Sequence, residues 1–248
     1  MTHSATQLDK LGARLISGPP TDEDLRMLDE FRRSFSDASD EVLRILKHEF
    51  TLTPTVRPAK STQAIIDKLA RERTRLTQMQ DVAGCRLIVP TMSHQHQLAQ
   101  RLLQRFEGAQ LHDRVALPSH GYRAMHVVVK HVGHRVEIQI RTRLQHLWAA
   151  LSEKAADHYG HQIKYGSGQT QVLSNLLRLS EACANADVRS DLLELFSARV
   201  KESSSRSLQD DYENAYSKLL DELDMLTVAM KRFAAQPDLL GTNDDLLD

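Results

Sequence analysis

Residues 136–142 read VEIQIRT, and the alternation in this stretch decides the fold class. Val136, Ile138 and Ile140 alternate with Glu137, Gln139 and Arg141. Successive side chains of a β-strand point to opposite faces. One face is therefore aliphatic, and the other carries a carboxylate, an amide and a guanidinium in a row. An ordinary strand with one face in water would explain this mixture. So would a strand whose polar face does chemistry.

Working outward, AMHVVVKHV at 124–132 is a second β-rich run, and Gly133-His134 between the two reads as a hairpin turn. CRLIVP at 85–90 is a third, stopped by Pro90. Ala64–Leu76, Gln95–Phe106 and Leu144–Tyr159 carry helical spacing. Strands mixed with helices predict an α/β (α+β) domain over residues 51–168, with GSG at 166–168 closing it.

Helical extensions are expected on both sides. In the 1–50 segment Leu25, Leu28 and Phe31, then Leu43, Leu46 and Phe50, recur at helical steps, and Thr21 with Asp24 resembles a capping start. Pro54 and Pro58 then break the pattern. In the 169–248 segment Leu173, Leu176, Leu177 and Leu179, then Leu192, Leu193 and Leu195, form two apolar groups. KESSSRS at 201–207 reads as a polar linker, and GTNDDLLD at the end as a frayed tail. Between them Leu208, Tyr212, Ala215, Leu219, Leu223, Leu226 and Met230 make a stripe, which fits either packing between antiparallel helices or a partner surface.

Composition narrows the function classes. The chain has 248 residues, 41 % hydrophobic and 26 % charged, and Lys+Arg (32) balances Asp+Glu (33). Global charge thus gives no ground for nucleic-acid or membrane binding, and an electrostatic partner has to be read from local clusters. The two cysteines, Cys85 and Cys183, have no CxxC spacing and read as reduced thiols. The N-terminal stretch lacks the apolar run of a signal peptide, and no segment approaches the roughly 20 apolar residues of a membrane span. A cytoplasmic protein is expected.

Four clusters bear chemistry. VRPAKSTQAIIDKLARERTR at 56–75 sets six cations (Arg57, Lys60, Lys68, Arg71, Arg73 and Arg75) against Asp67 and Glu72. With Ala64 to Arg75 on a helix, Lys60, Ala64, Lys68, Arg71 and Arg75 fall near one stripe, which borders the apolar stripe of Ile65, Leu69 and Leu76. Ser61 and Thr62 are candidate N-caps, where free N–H groups can bind phosphate. The alternative is a solvated basic face. QDVAGCR at 80–86 places Asp81 before a strand, where carboxylates gather around Mg²⁺ in phosphoryl-transfer sites, or where Asp81 simply caps a turn beside Gly84. SHGYRAMH at 119–126 offers a flat ring, a guanidinium and two imidazoles, or only turn residues with a structural tyrosine. The fourth is VEIQIRT with His146 and Trp148 after it, Trp148 being most simply a core residue.

In this order, Arg57…Lys60…Lys68, Asp81-Val-Ala-Gly-Cys-Arg86, Gly121-Tyr-Arg-Ala-Met-His126 and Glu137-Ile-Gln-Ile-Arg-Thr142 with His146-x-Trp148, the series resembles the RelA/SpoT synthetase domain over about residues 50–165. The resemblance implies a nucleotidyltransferase-like mixed sheet flanked by helices. It implies an ATP-dependent pyrophosphokinase that moves the β,γ-diphosphate of ATP to the 3′-hydroxyl of GDP or GTP, making the (p)ppGpp alarmone of the stringent response. It further implies that Arg57 and Arg86 sandwich adenine and that Lys60, Ser61, Lys68 and Arg123 hold the triphosphate. Asp81 and Glu137 would ligate Mg²⁺, with Glu137 also taking the proton of the attacking hydroxyl. Tyr122 would stack on the acceptor base, with His120, His126, Gln139 and Arg141 supporting the acceptor side. The polar face of VEIQIRT would then be the floor of an active site. The resemblance is to a short, single-domain synthetase, and neither a metal-hydrolase half before the motifs nor a long regulatory half after them is expected.

The sequence departs from the family pattern in three places. RPAK at 57–60 is one residue longer than the usual Arg-x-Lys. Leu117-Pro-Ser-His120 stands where Lys-Pro-Asn commonly precedes Gly-Tyr-Arg, and LSEKAADHYGHQIKYG at 151–166 lacks the compact ending of ordinary small synthetases. Two alternatives follow. One is a toxin-type relative that pyrophosphorylates the tRNA 3′ CCA end. The other is a non-catalytic nucleotide-binding or scaffold protein. The C-terminal helices would serve either a second copy of the chain or, in a toxin–antitoxin pair, an antitoxin.

Overall fold

The strand carrying VEIQIRT occupies the middle of a five-stranded sheet. A computed structural model describes residues 3–57, 60–203 and 205–242. Three helices come first, α1 (Ala5–Ser17), α2 (Asp22–Arg33) and α3 (Ser36–His48). Then follow β1 (Thr55–Val56), α4 (Thr62–Glu72), β2 (Ala83–Val89), α5 (Met92–Arg105), β3 (Gln110–Asp113), β4 (Met125–His131) and β5 (His134–Thr142). Three long helices finish the chain, α6 (Arg143–Tyr159), α7 (Thr170–Lys201) and α8 (Arg206–Ala235). The sheet order is β1-β2-β5-β4-β3, a mixed sheet flanked by helices in an α+β arrangement.

β5 behaves as its alternation requires, with one correction. Every side chain from Val136 to Thr142 is buried, so the polar face of Glu137, Gln139 and Arg141 is not the wet face of an ordinary strand. The hairpin turn falls at Val132-Gly133, one residue earlier than expected, and His134 opens β5. Both turn residues have positive φ, +46° and +79°, as a two-residue type I′ turn demands.

The chain divides into two compact units, Met1–Leu87 with Gln100–His112 and His126–Gln139, and Ile88–Ala99 with Asp113–Met125 and Ile140–Asp248. The core of the first joins Leu8, Leu11 and Leu15 of α1 to Leu28 and Phe31 of α2 and Ile65 and Leu69 of α4. Helix α1 had no place in the sequence reading beyond a general helical segment, although Ser4 and Gln7 form a capping box at its start. Residues 21–50 are two helices, α2 and α3, separated at Ser34-Phe35, and Thr21 with Asp24 forms the expected capping box. Pro58 lies outside the described residues.

Helix α4 also stops earlier than the helix expected through Arg75. Arg73 adopts a left-handed conformation (φ +48°) and ends it, so Arg75 leaves the basic stripe and its guanidinium lies 3.7 Å from Asp9. In the second unit the core runs through Leu144, Trp148 and Leu151 of α6, Val172, Leu176 and Leu179 of α7, and Leu226, Met230 and Phe233 of α8. The two leucine groups expected on α7 belong to one uninterrupted helix. On α8 Leu219, Leu226 and Met230 are buried as a packing stripe predicts, whereas Leu208 is exposed. Residues 243–248 of the tail lie outside the described residues.

Candidate active site

In the first unit, Asp81 is the meeting point of two lysines. Ser61 starts α4 by accepting the Ala64 N–H at 3.2 Å, so its hydroxyl serves the helix as the expected N-cap. Lys68, almost two turns on, donates to Asp81 Oδ1 at 2.8 Å, and Lys60, just before the helix, donates to Oδ2. Asp81 is therefore an ion-pair centre and not a turn cap. Burial pushes its carboxyl up, but the two ammonium groups outweigh burial and hold it below the ordinary aspartate value.

Glu137 is gripped from both sides of its strand. His126 Nδ1, from β4, lies 2.9 Å from Oε1. Arg57 Nη1 donates to Oε2 at 2.5 Å, and Gln139 Nε2 donates to the same oxygen at 2.9 Å. Burial raises the Glu137 carboxyl, yet the hydrogen bond and charge of His126, then Arg57 and Gln139, bring it down to about 2. The sheet makes the Arg57 contact geometrically simple. Arg57 continues the β1 edge by donating its N–H to Gly84 O at 3.0 Å, and β2 separates β1 from β5. At Gly84 the backbones are so close that a Cβ would stand 2.5 Å from Glu137 O. A residue without a side chain is what that approach requires. Arg86, two residues along β2, is half-buried and faces Thr55 in the β1–β2 register.

The second unit holds the Gly-Tyr-Arg segment. Ser119 and Tyr122 exchange backbone hydrogen bonds, 2.9 and 3.2 Å, across a tight turn whose central residues, His120 (φ +50°) and Gly121 (φ +86°), are both left-handed. His120 packs its ring against Gly166, where a Cβ would stand 2.4 Å from Nδ1. Arg141 Nη2 donates to Tyr122 Oη at 2.7 Å, and its guanidinium carbon lies 5.1 Å from the ring centroid. Arg123 Nη1 donates to Ser180 Oγ of α7 at 2.6 Å.

The first unit thus brings together Lys60, Lys68 and Asp81 in one group, and Arg57, His126, Gln139 and Glu137 in another. The second brings together Tyr122 and Arg141. Ser61 and His120 are engaged in backbone architecture. Sequence reasoning missed Ser180, and it missed Asp187 of α7, which accepts the Thr142 hydroxyl at 2.8 Å. Serine and aspartate within a long helix carry no local mark of partners 40 or more positions away. Two ionised carboxylates offer hard oxygen ligands of the kind Mg²⁺ takes together with phosphate. Trp148 is core, as expected, with its Nε1–H on Leu176 O at 2.8 Å. Cys85 and Cys183 are both buried free thiols, pushed up to about 12 chiefly by burial. Among the described residues no helix is long and apolar enough to cross a membrane.

Comparison with known proteins bears on the same segment. Residues 57–164 match the family model described as "Region found in RelA / SpoT proteins". Uncharacterized protein Rv1366 of Mycobacterium tuberculosis (strain ATCC 25618 / H37Rv) is 38 % identical over 123 residues, which are 48 % of this chain and 45 % of that one. The probable GTP diphosphokinase RSH2, chloroplastic, of Oryza sativa subsp. japonica is 33 % identical over 98 residues, 36 % of this chain and 13 % of the rice protein. The chain thus spans less than half the length of these curated relatives. Among solved structures, small alarmone synthetase 1 from Bacillus subtilis bound to its product pppGpp superposes with a TM-score of 0.54 at 24 % identity, covering 74 % of this chain and all of that one. Small alarmone synthetase 2 from Bacillus subtilis gives 0.53 at 22 % identity, covering 71 % and 99 %. These two likenesses establish the fold. The ordered motifs, the sheet that displays them and the matched family model all fall on the same stretch, residues 57–164.

Proposed function

We propose that the chain is an ATP-dependent pyrophosphokinase that transfers the β,γ-diphosphate of ATP to the 3′-hydroxyl of GDP or GTP, releasing AMP. The observation that carries this reading is the pairing of both carboxylates with cations of the kind a nucleotide needs. Lys60 and Lys68 rest on Asp81, and Arg57 rests on Glu137. Incoming phosphates compete for the lysines, and adenine offers a flat surface to the arginine. As the cations transfer to the nucleotide, the carboxylates are released to their own tasks.

For Glu137 the exchange frees one oxygen from its arginine. A carboxylate held at about 2 is a weak base, because a general base works best with a pKa near the operating pH. Departure of Arg57 removes one of the groups that hold it down, while His126, the larger influence, and Gln139 stay on the carboxyl. Glu137 is the carboxylate assigned the role of taking the proton of the attacking 3′-hydroxyl, with His126 and Gln139 keeping it oriented. Asp81 and Glu137 would hold Mg²⁺, whose charge would offset that building on the transferred phosphates. On the acceptor side Tyr122 offers a ring for the base, steadied by Arg141. That AMP leaves intact follows from attack at the β-phosphorus, with the bond from the α-phosphate oxygen to that phosphorus breaking.

Incubation with ATP and, separately, GDP, GTP, adenine nucleotides and tRNA tests the reading. Guanosine 3′-diphosphate products with AMP released in equal amount are expected. Product on tRNA alone would replace the acceptor with the CCA end and leave the ATP-side roles standing. No product with any acceptor would refute the pyrophosphokinase reading.

A further inference from the structure

We infer that Ser180, on a helix outside the RelA/SpoT region, is a positioning residue for the Gly121-Tyr122-Arg123 loop. This inference rests on the pyrophosphokinase reading. Ser180 is 2 % exposed, and its hydroxyl serves two loop groups at once. Its Oγ donates to Gly121 O at 2.5 Å and accepts from Arg123 Nη1 at 2.6 Å. A hydroxyl has one donor hydrogen, so with the carbonyl taking it the guanidinium must be the donor to Oγ, and the order of the chain is fixed. The loop is also pressed onto this support. A Cβ at Gly121 would meet Trp148 Cζ2 at 2.7 Å and Ser180 Cβ at 3.2 Å.

Helix α7 supports the loop at a second point one turn away. Leu176, four residues before Ser180, accepts the Trp148 Nε1–H at 2.8 Å, and Trp148 is the ring against which Gly121 lies. The register of α7 is held further along, where Asp187 takes the Thr142 hydroxyl at 2.8 Å and Asp191 takes the Ser93 N–H at 2.8 Å. The helix therefore acts as a rail. Held there, one hydroxyl sets both the loop backbone and the direction of its arginine. The catalytic groups remain those of the RelA/SpoT region, and Ser180 touches none of the reacting atoms.

The test compares the full chain with Ser180→Ala, Ser180→Thr and Arg123→Ala, using hydrogen exchange and steady-state kinetics. Ser180→Ala is expected to speed amide exchange of residues 119–124 and to raise the KM for ATP about tenfold, the size of one lost charge-assisted hydrogen bond, with kcat changed less than about twofold. Ser180→Thr, which keeps the hydroxyl, is expected to restore most of the KM. In the Arg123→Ala background the effect of Ser180→Ala on the ATP KM should largely vanish. Should Ser180→Ala fail to fold, Ser180→Cys takes its place. Unchanged loop exchange, faster exchange with an unchanged KM, or an undiminished effect in the Arg123→Ala background would each overturn the inference. Wild-type protein inactive on every acceptor would instead overturn the pyrophosphokinase reading, while the exchange data still report whether α7 holds the loop.

Discussion

Lys68 Nζ lies 2.8 Å from Asp81 Oδ1 while Lys60 takes the other oxygen, so one carboxylate is shared by two cations and the trio keeps a net positive charge. Asp81→Asn removes that charge without changing the shape. The account predicts that this variant binds metal-free ATP about three- to tenfold more tightly than wild type, because both lysines are released to the phosphates, a partly exposed pair being worth on the order of 1 kcal/mol. Its turnover with metal should fall about 100-fold or more. Calorimetry in EDTA, followed by turnover measurement, checks both halves. Weaker metal-free binding would show that the lysines do not exchange between Asp81 and phosphate.

Arg141 and Tyr122 form the second such relationship. Tyr122→Phe keeps the ring but deprives Arg141 Nη2 of its acceptor at 2.7 Å. A half-buried tyrosine that loses a charge-assisted hydrogen bond gives up about 1.5–3 kcal/mol of positioning. The acceptor KM is expected to rise about tenfold for Phe and further for Ala, where base stacking of roughly 1–3 kcal/mol is lost as well. The ATP KM should stay within about twofold. Equal changes in both KM values would place Tyr122 elsewhere than on the acceptor side.

Gly84→Ala puts a Cβ 2.5 Å from the Glu137 carbonyl oxygen, and backbone has no flexible end to move aside. Overpacking of this kind costs about 1–3 kcal/mol, and each kcal/mol lowers Tm by about 2–4 °C in a chain of this size. Gly18→Ala, which meets nothing within 4 Å, is the control and should melt like wild type. Calorimetric melts of the two variants decide the matter, and equal Tm values would contradict the close β2–β5 approach.

The legible parts of the molecule are those whose signal is local. The alternation at 136–142 located β5, and the Thr21–Asp24 pair located the start of α2. Strands β1 and β3, two and four residues long, are too short to show a period. The left-handed Arg73 that ends α4 has no glycine to announce it, and the break at Ser34-Phe35 hides inside continuous helical spacing. In the candidate site, the ordered motifs single out candidate residues. What each residue touches is not legible there, because Arg57 and Glu137 are 80 positions apart and Arg123 and Ser180 are 57 apart. Burial of the polar face of β5 likewise depends on what covers it, which no single strand records.

Asp187 provides a pH signature. Burial pushes its carboxyl up to about 7, Asp191 adds to this, and the Thr142 hydroxyl and Arg123 oppose it. Because the folded value exceeds the unfolded one, the folded state keeps a proton that the unfolded chain has already lost. Stability from this group is therefore full below about pH 4 and is lost as pH rises toward 7. Asp187→Asn still accepts from Thr142 but has no proton to lose. Its Tm relative to wild type should climb by several degrees between pH 5 and pH 8. Parallel Tm curves across that range would show that Asp187 does not carry a raised value.

The central claim is transfer of a diphosphate with Glu137 as the base, and positional labelling reads it directly. With ATP labelled at the β-phosphorus and GDP as acceptor, label should appear in a guanosine bis-diphosphate, with unlabelled AMP released in equal amount. Glu137→Gln, which keeps the hydrogen-bonding shape beside His126 but not the charge, should lower the rate about 100-fold or more. Label remaining in ADP with only the γ-phosphate transferred, or a Glu137→Gln variant retaining more than about a tenth of wild-type turnover, would contradict the account.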